Sequence, residues 1–191
     1  MAVCVSNDHI VSFDDEQLVL VDSDDREIGF CSKSEVHKGE GQLHRAFSLF
    51  VFNSSGELII QKRAANKQLW PGYWSNTCCS HPRRGESMDV AIQRRLREEI
   101  GIHASLTFLF KFQYQARFGV VGAENELCWV YVGCSDDVPH ANVSEVSGIR
   151  YLAPRKLDKE MNDDPDKFSP WFKLEWMRIR RDYPDLMAGG K

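Results

Sequence analysis

Two apolar runs, FSLFVFN at Phe47 to Asn53 and ELIIQK at Glu57 to Lys62, are separated only by Ser54-Ser55-Gly56. Aromatic and branched side chains suit a pleated strand, and three small residues leave room only for a tight reversal, so the pair predicts an antiparallel β-hairpin. The chain must build the rest of its fold onto that hairpin. Gln17 to Asp22 alternates like a short strand and is followed by the polar turn SDDREIG. Leu106 to Phe118 and Glu126 to Cys134 read as two strands flanking a glycine-containing turn, which predicts a sheet of at least five strands. Between them the period changes. Ile92, Leu96 and Ile100 recur every four residues, Ser87 is placed to cap and Gly101 to stop, so Ser87 to Ile100 predicts a helix. A last helix starts at Ser169-Pro170 and runs toward Tyr183, before Pro184. WPGYWSNTCCSHPRR, from Trp70 to Arg84, is broken by proline, glycine and small polar residues and predicts a long irregular segment of the kind that often carries function.

Composition bounds the function classes. The 191 residues carry a formal net charge of −4 at pH 7 with the signs interspersed, which gives no electrostatic reason to bind nucleic acid or an anionic membrane. No run approaches the ~20 apolar residues of a bilayer span, and Met1 to Asp15 lacks a basic start followed by an apolar core. A cytoplasmic, reducing location is expected. Cys4, Cys31, Cys78, Cys79, Cys128 and Cys134 form no pair of CxxC hooks and are expected mostly as small buried hydrophobes. His9, His103 and His140 are expected at the surface, and no function is legible before Val19 or after Leu186.

Two groups of residues draw chemical attention. In Arg94 to Ile102 (RRLREEIGI), Arg95 and Glu99 lie one helical turn apart beside Glu98, along the flank of the apolar stripe. Taken alone, this fits a solvated face laced with salt bridges as well as a functional one. His37, His44 and His81, with Glu124 and Glu126, are ligand types suited to Mn, Zn, Fe or Mg. The i, i+2 spacing of the two glutamates would direct both to one side of a strand.

Glu86 to Ile102 resembles the Nudix box, whose pattern is Gly, five residues, Glu, seven residues, then Arg-Glu-U-x-Glu-Glu-x-Gly-U, U being aliphatic. Ser80 stands where that box has its first Gly, and Arg95 where it has a Glu; a cation there removes a metal ligand and repels the ion that hydrolysis would use. With LHRAFS at Leu43 to Ser48, WPGYWSNTCCSHP at Trp70 to Pro82, ENEL at Glu124 to Leu127 and SPW at Ser169 to Trp171, the chain resembles the type 1 isopentenyl-diphosphate isomerases over roughly Val19 to Met177.

That resemblance implies an α/β (α+β) fold, a Nudix-type α/β/α sandwich with a mixed sheet and additional strands and helices. It implies a single domain over 1–191 with its core at about 42–174. The implied reaction moves a double bond between isopentenyl and dimethylallyl diphosphate through a carbocation, leaving the diphosphate intact. It assigns catalysis to Cys79, Glu126, Tyr114 and Trp171. A thiol of ordinary pKa ~8.5 and a carboxylate are suitable proton-transfer groups, and an aromatic face can shield a cation. The diphosphate falls to Lys33, Arg63, Lys67, Ser80 and Arg95. His37, His44, His81, Glu124 and Glu126 would hold one divalent ion, Mn2+, Zn2+ or Mg2+, and Glu99 a Mg2+ bridging the diphosphate. No flavin or nicotinamide is implied; the expected partner is a small-molecule diphosphate, with no nucleic acid and no membrane, and the protein is expected as a monomer. Two other readings compete. A hydrolase of nucleotide or other diphosphates would want Glu at position 95 and leaves Cys79 unexplained, and a noncatalytic domain would keep the His/Glu set for a structural ion alone.

Overall fold

The computed structural model describes residues 9–187, and the last of these without its side chain. Its centre is β3 (His44–Phe52), buried from Ala46 onward and therefore continuously apolar rather than alternating. β3 runs parallel to β8 (Gly122–Cys134) with His44 opposite Glu126 and Phe52 opposite Cys134. β8 in turn forms a long antiparallel pair with β7 (Ser105–Phe118). On its other flank β3 meets β1 (Gln17–Val21), which pairs with β2 (Glu27–Ser32). The expected turn is therefore shorter than SDDREIG. The Asp22 carboxylate accepts from the backbone N–H groups of Asp24 and Arg26, both at 2.9 Å, and the chain is extended again from Glu27.

The hairpin forms and then splits. Asn53 and Glu57 bond reciprocally across the turn and Gly56 takes a φ of 74°. β3 and β4 (Leu58–Arg63) nevertheless share one register pair, Phe52 with Leu58. Beyond it, the segment expected to be irregular enters as a wedge. β5 (Trp74–Ser75) pairs with β4 and β6 (Cys78–Ser80) with β3. Between them the Thr77 hydroxyl donates to the Ile59 carbonyl at 2.6 Å and accepts from the Val51 N–H at 2.9 Å, replacing a rung of the lost ladder. Local composition argued against strands there; the unpaired edges of β3 and β4 impose them. β4 also pairs with β9 (Val146–Leu152), completing a nine-stranded mixed sheet.

One face of the sheet is covered by α2 (Met88–Glu99), capped by Ser87 as expected, with Ala91, Ile92 and Leu96 against Phe47, Leu49 and Cys78. The other face is covered by α3 (Pro154–Asp163) and α4 (Pro170–Asp182), where Phe172 and Trp176 meet Phe50. This is the expected α/β/α layering. A single turn, α1 (Lys33–Val36), together with β9 and α3, had no signal strong enough to be anticipated. No helix among the described residues is long and apolar enough to cross a membrane.

Cys78 and Cys128 are buried, Cys31 and Cys79 half-buried and Cys134 exposed at the end of β8, all as free thiols. Cys4 lies outside the described residues, as do 1–8 and 188–191 of the termini. His9, His103 and His140 are exposed as expected.

Candidate active site

A cavity of ≈ 470 Å³ opens where α1, β6, β8 and the N-terminus of α4 converge. Strand parity decides what reaches it. Side chains of a strand alternate between faces, so on β6 Cys78 packs under α2 while Cys79 turns to the α4 face, and on β8 Glu124 and Glu126 share one side. The sequence expectation for the i, i+2 pair thus holds in space.

His37 caps α1, His44 opens β3 and His81 follows β6, and the ligand atoms of these three and of Glu124 and Glu126 all lie within 4.8 Å of one another. The Nδ1 atoms of His37 and His44 are held by the Lys33 and Gln42 carbonyls at 2.7 and 2.8 Å, which leaves each Nε2 facing inward. His37 Nε2 and Glu124 Oε2 stand 2.9 Å apart, buried and without a hydrogen-bond partner. His81 Nε2 is 2.9 Å from Glu126 Oε1 and 3.1 Å from His44 Nε2. Burial holds His44 down to about 4 and His81 well below its usual range, so both keep a free lone pair. Burial, then the neighbouring Glu124 charge, pushes Glu126 well above the carboxylate range. Burial would raise Glu124 too, but the neighbouring His37 charge brings it to about 2. Three imidazoles and two carboxylates with orphaned buried atoms fit a divalent ion of the Mn, Zn or Mg type.

Next to this group, the Tyr114 hydroxyl on β7 donates to Glu126 Oε2 at 2.6 Å, and burial followed by the Glu126 charge raises its pKa well above normal. Cys79 lines the same cavity, and burial pushes its thiol up to about 12, so it is protonated near neutrality. Arg63 reaches 3.9 Å from the Cys79 sulfur with Nη1, donates from Nη2 to the Leu69 carbonyl at 2.7 Å, and lies 5.2 Å from the Trp171 ring centroid. Trp171 is buried edge-on against Trp70, itself at a φ of 48°, a conformation that a bulky residue keeps only when its surroundings enforce it.

The cationic end holds Lys33, Lys67, Arg95 and Ser80 on the cavity wall, as expected from the sequence. Burial, then Lys67 and Arg95, lowers the Lys33 pKa. Arg95 is also held by the protein itself. Its four terminal N–H bonds are all used, Nη1 on the Val11 carbonyl (2.9 Å) and Glu98 (3.2 Å), Nη2 on Glu99 (2.5 Å) and Glu145 (3.2 Å). Its Nε is buried without a hydrogen-bond partner, and the terminal nitrogens are tied to protein acceptors while the guanidinium charge faces the cavity. Glu99 stands behind Arg95, off the cavity wall, with its other oxygen taking a bond from Gln61 at 3.3 Å. Each Glu99 oxygen thus carries one hydrogen bond and keeps a further lone pair.

Three groups had no sequence signal. Glu145 pairs with Lys67 and Arg95 inside the cavity. The N-terminal segment, expected to be functionless, covers the cationic end. There the His9 carbonyl accepts from Asn142 at 2.7 Å, the Val11 carbonyl from Arg95, and Ser12 bonds Lys33. The third is Glu175, one turn beyond Trp171 on α4, buried against Cys128 (3.4 Å) with Oε2 unpartnered. Burial raises its pKa to about 8, so it is a neutral acid. A carboxyl with a raised folded-state pKa contributes fully below its unfolded value of ~4.3, and that contribution is lost as pH rises toward the folded value. Glu175→Gln should therefore stabilise the protein by up to about 4 kcal/mol near pH 7.5 and by almost nothing near pH 4.5. Thermal melts of both proteins across that range decide it: a melting difference independent of pH sinks the assignment.

A family model described as NUDIX domain matches residues 42–172. The chain is 42% identical over 175 residues to "Isopentenyl-diphosphate Delta-isomerase 1" of Photorhabdus laumondii, across 91% of this chain and 99% of the relative. It is 44% identical over 158 residues to the isopentenyl-diphosphate Delta-isomerase of Burkholderia multivorans, across 83% and 89%. Among solved structures it is similar to DR0079 from Deinococcus radiodurans, with a TM-score of 0.69 and 25% identity over 88% of this chain and 99% of that one. A MutT protein from Methanosarcina mazei, 16% identical with a TM-score of 0.58 over 73% of this chain, shares the fold.

Proposed function

This chain belongs to the NUDIX domain family and, within it, to the isopentenyl-diphosphate Delta-isomerases, and from that membership we propose that it interconverts isopentenyl and dimethylallyl diphosphate in isoprenoid precursor biosynthesis. The observation that carries the reading is the meeting of a protonated thiol, Cys79, and a hydrogen-bonded carboxyl pair, Glu126 with Tyr114, on the wall of one cavity that also has a cationic end. In the forward direction a proton is delivered to the terminal methylene carbon, forming a C–H bond and leaving a tertiary carbocation. A proton is then taken from the neighbouring CH2, and its C–H electron pair becomes the new double bond. One proton-transfer group ends a proton poorer and the other a proton richer, and exchange with solvent resets them.

Cys79 and Glu126 are the two proton-transfer groups in this reading, with Tyr114 holding or relaying the proton at Glu126 Oε2. The Trp171 face shields the cation from water, which would trap it as an alcohol. Lys33, Arg63 and Lys67, with Ser80 as a hydrogen-bond donor, take the diphosphate, and Arg95 adds charge behind them. His37, His44, His81, Glu124 and Glu126 would hold one divalent ion, which when bound fixes the Glu126 carboxylate and tunes its basicity. A Mg2+ held by Glu99 would add positive charge for the diphosphate in this reading.

A single NMR tube tests the proposal: protein, isopentenyl diphosphate and Mg2+ in D2O, followed for alkene signals and free phosphate. Dimethylallyl diphosphate carrying deuterium, without phosphate release, is the expected result. Release of phosphate without the allylic product would mean that the protein is a hydrolase.

A further inference from the structure

We propose that Ser75 is a positioning residue for this reaction: its hydroxyl, buried between the Cys79 thiol and the Trp171 indole, fixes the indole through its N–H and denies the thiol any acceptor other than the cavity. The inference rests on the isomerase reading, because Ser75 acts through two residues to which that reading assigns the alkene.

The argument is a count of hydrogens and lone pairs. A serine hydroxyl has one donor and two acceptor sites. Four polar atoms surround Ser75 Oγ: Asn76 Oδ1 at 2.9 Å, Trp171 Nε1 at 3.0 Å, Ser169 Oγ at 3.1 Å and Cys79 Sγ at 3.9 Å. The Asn76 amide is oriented by its NH2, which donates to the Leu49 and Cys78 carbonyls at 3.2 and 2.9 Å, so its oxygen faces Ser75 and can only accept. The single Ser75 hydrogen is thereby spent on Asn76. Indole N–H is a donor only; it lies nearer Ser75 Oγ and is shared with Asn76 Oδ1 at 3.3 Å, so Trp171 takes one Ser75 lone pair. One lone pair remains for two neighbours. Ser169 is nearer, fully buried, and its hydroxyl has no other partner among the described residues, so it fills the last place. The Cys79 S–H is left over. Arg63 approaches the sulfur as a donor and cannot accept its proton. The thiol proton therefore turns toward the cavity, where the alkene carbon would lie.

Ser75 is fully buried and off the cavity wall, so it touches no substrate. Its effect must appear in the orientation of its two neighbours, and misplacement on the ångström scale is worth roughly ten- to a hundredfold in rate. For Ser75→Ala we expect kcat for isomerisation to fall by about tenfold or more with KM held within about twofold. The share of turnover trapped by water as the tertiary alcohol should rise, and the indole N–H resonance of Trp171 should shift in isotope-labelled protein. Ser75→Thr, which restores the hydroxyl, should recover most of the rate. Ser169→Ala, which opens the contested lone pair to the thiol, should lower kcat while leaving the indole resonance in place.

The proposal is overturned if Ser75→Ala keeps kcat within about twofold with the same product partition, or if the threonine variant is as impaired as the alanine. Should the alanine variant fail to fold, Ser169→Ala carries the test alone, and an unchanged kcat overturns the proposal. Failure of the wild-type protein to isomerise would instead sink the isomerase reading, while the indole resonance would still report whether Ser75 holds Trp171.

Discussion

Cys79→Ala should lower isomerisation by about a thousandfold or more while leaving the fold and the binding of inorganic diphosphate in place. The size of the effect follows from the chemistry: an isolated alkene is so weakly basic that no solvent proton replaces a positioned donor. The neighbouring cysteine is the internal control. Cys78 lies on the opposite face of β6, fully buried with Ala91, Ile92 and Leu96 of α2. Cys78→Ala should cost about 1 kcal/mol of stability and leave turnover per folded molecule unchanged. Rates and melting curves of the two variants side by side settle the matter. A Cys79→Ala protein that retains a tenth of the wild-type rate, or a Cys78→Ala protein that loses it, would show that the thiol has been misassigned.

Removal of the ion should produce the second large effect, on stability and turnover together. Without a cation the five-residue group keeps two buried carboxyls, Glu126 raised by burial and by the Glu124 charge, Glu124 lowered by His37, whose Nε2 faces its Oε2. An ion present at about a thousand times its dissociation constant stabilises the folded state by ~4 kcal/mol. For a chain of this size that corresponds to roughly 8 to 16 °C in melting temperature. Treatment with a chelator should lower the melting point on that scale and abolish turnover, and re-addition of Mn2+, Zn2+ or Mg2+ should restore both. A chelated protein that melts and turns over like the untreated one would remove the metal from the mechanism.

What could be read from the sequence follows the range of the forces involved. α2 was legible because its cap, its four-residue apolar period and its stop all lie within sixteen residues of chain, and the ExE pair because strand parity alone decides where it points. The His/Glu set could be picked out by residue type, but its convergence depends on α1, β3, β6 and β8 meeting, which no local pattern encodes. β5 and β6 were missed because their strand state is dictated by partners. The ties at the cationic end escaped for a different reason: Val11 and His9 act through main-chain carbonyls, which every residue has. Glu145 and Ser75 belong to common residue types in unremarkable contexts, and only their placement gives them a role.

The wedge at Thr77 also bears on how the molecule folds. A hairpin that zips from its turn is assembled from local contacts and forms in microseconds. Here the zipper halts after its first pair, and the next rung between β3 and β4 is supplied by a side chain that is 18 residues from one of its partners and 26 from the other. The loop that brings it back must close first, which raises the contact order and slows the search. That same loop carries Ser75, Asn76 and Cys79. Pairing of the central strands and placement of Cys79 on the cavity wall thus depend on one stretch of sequence.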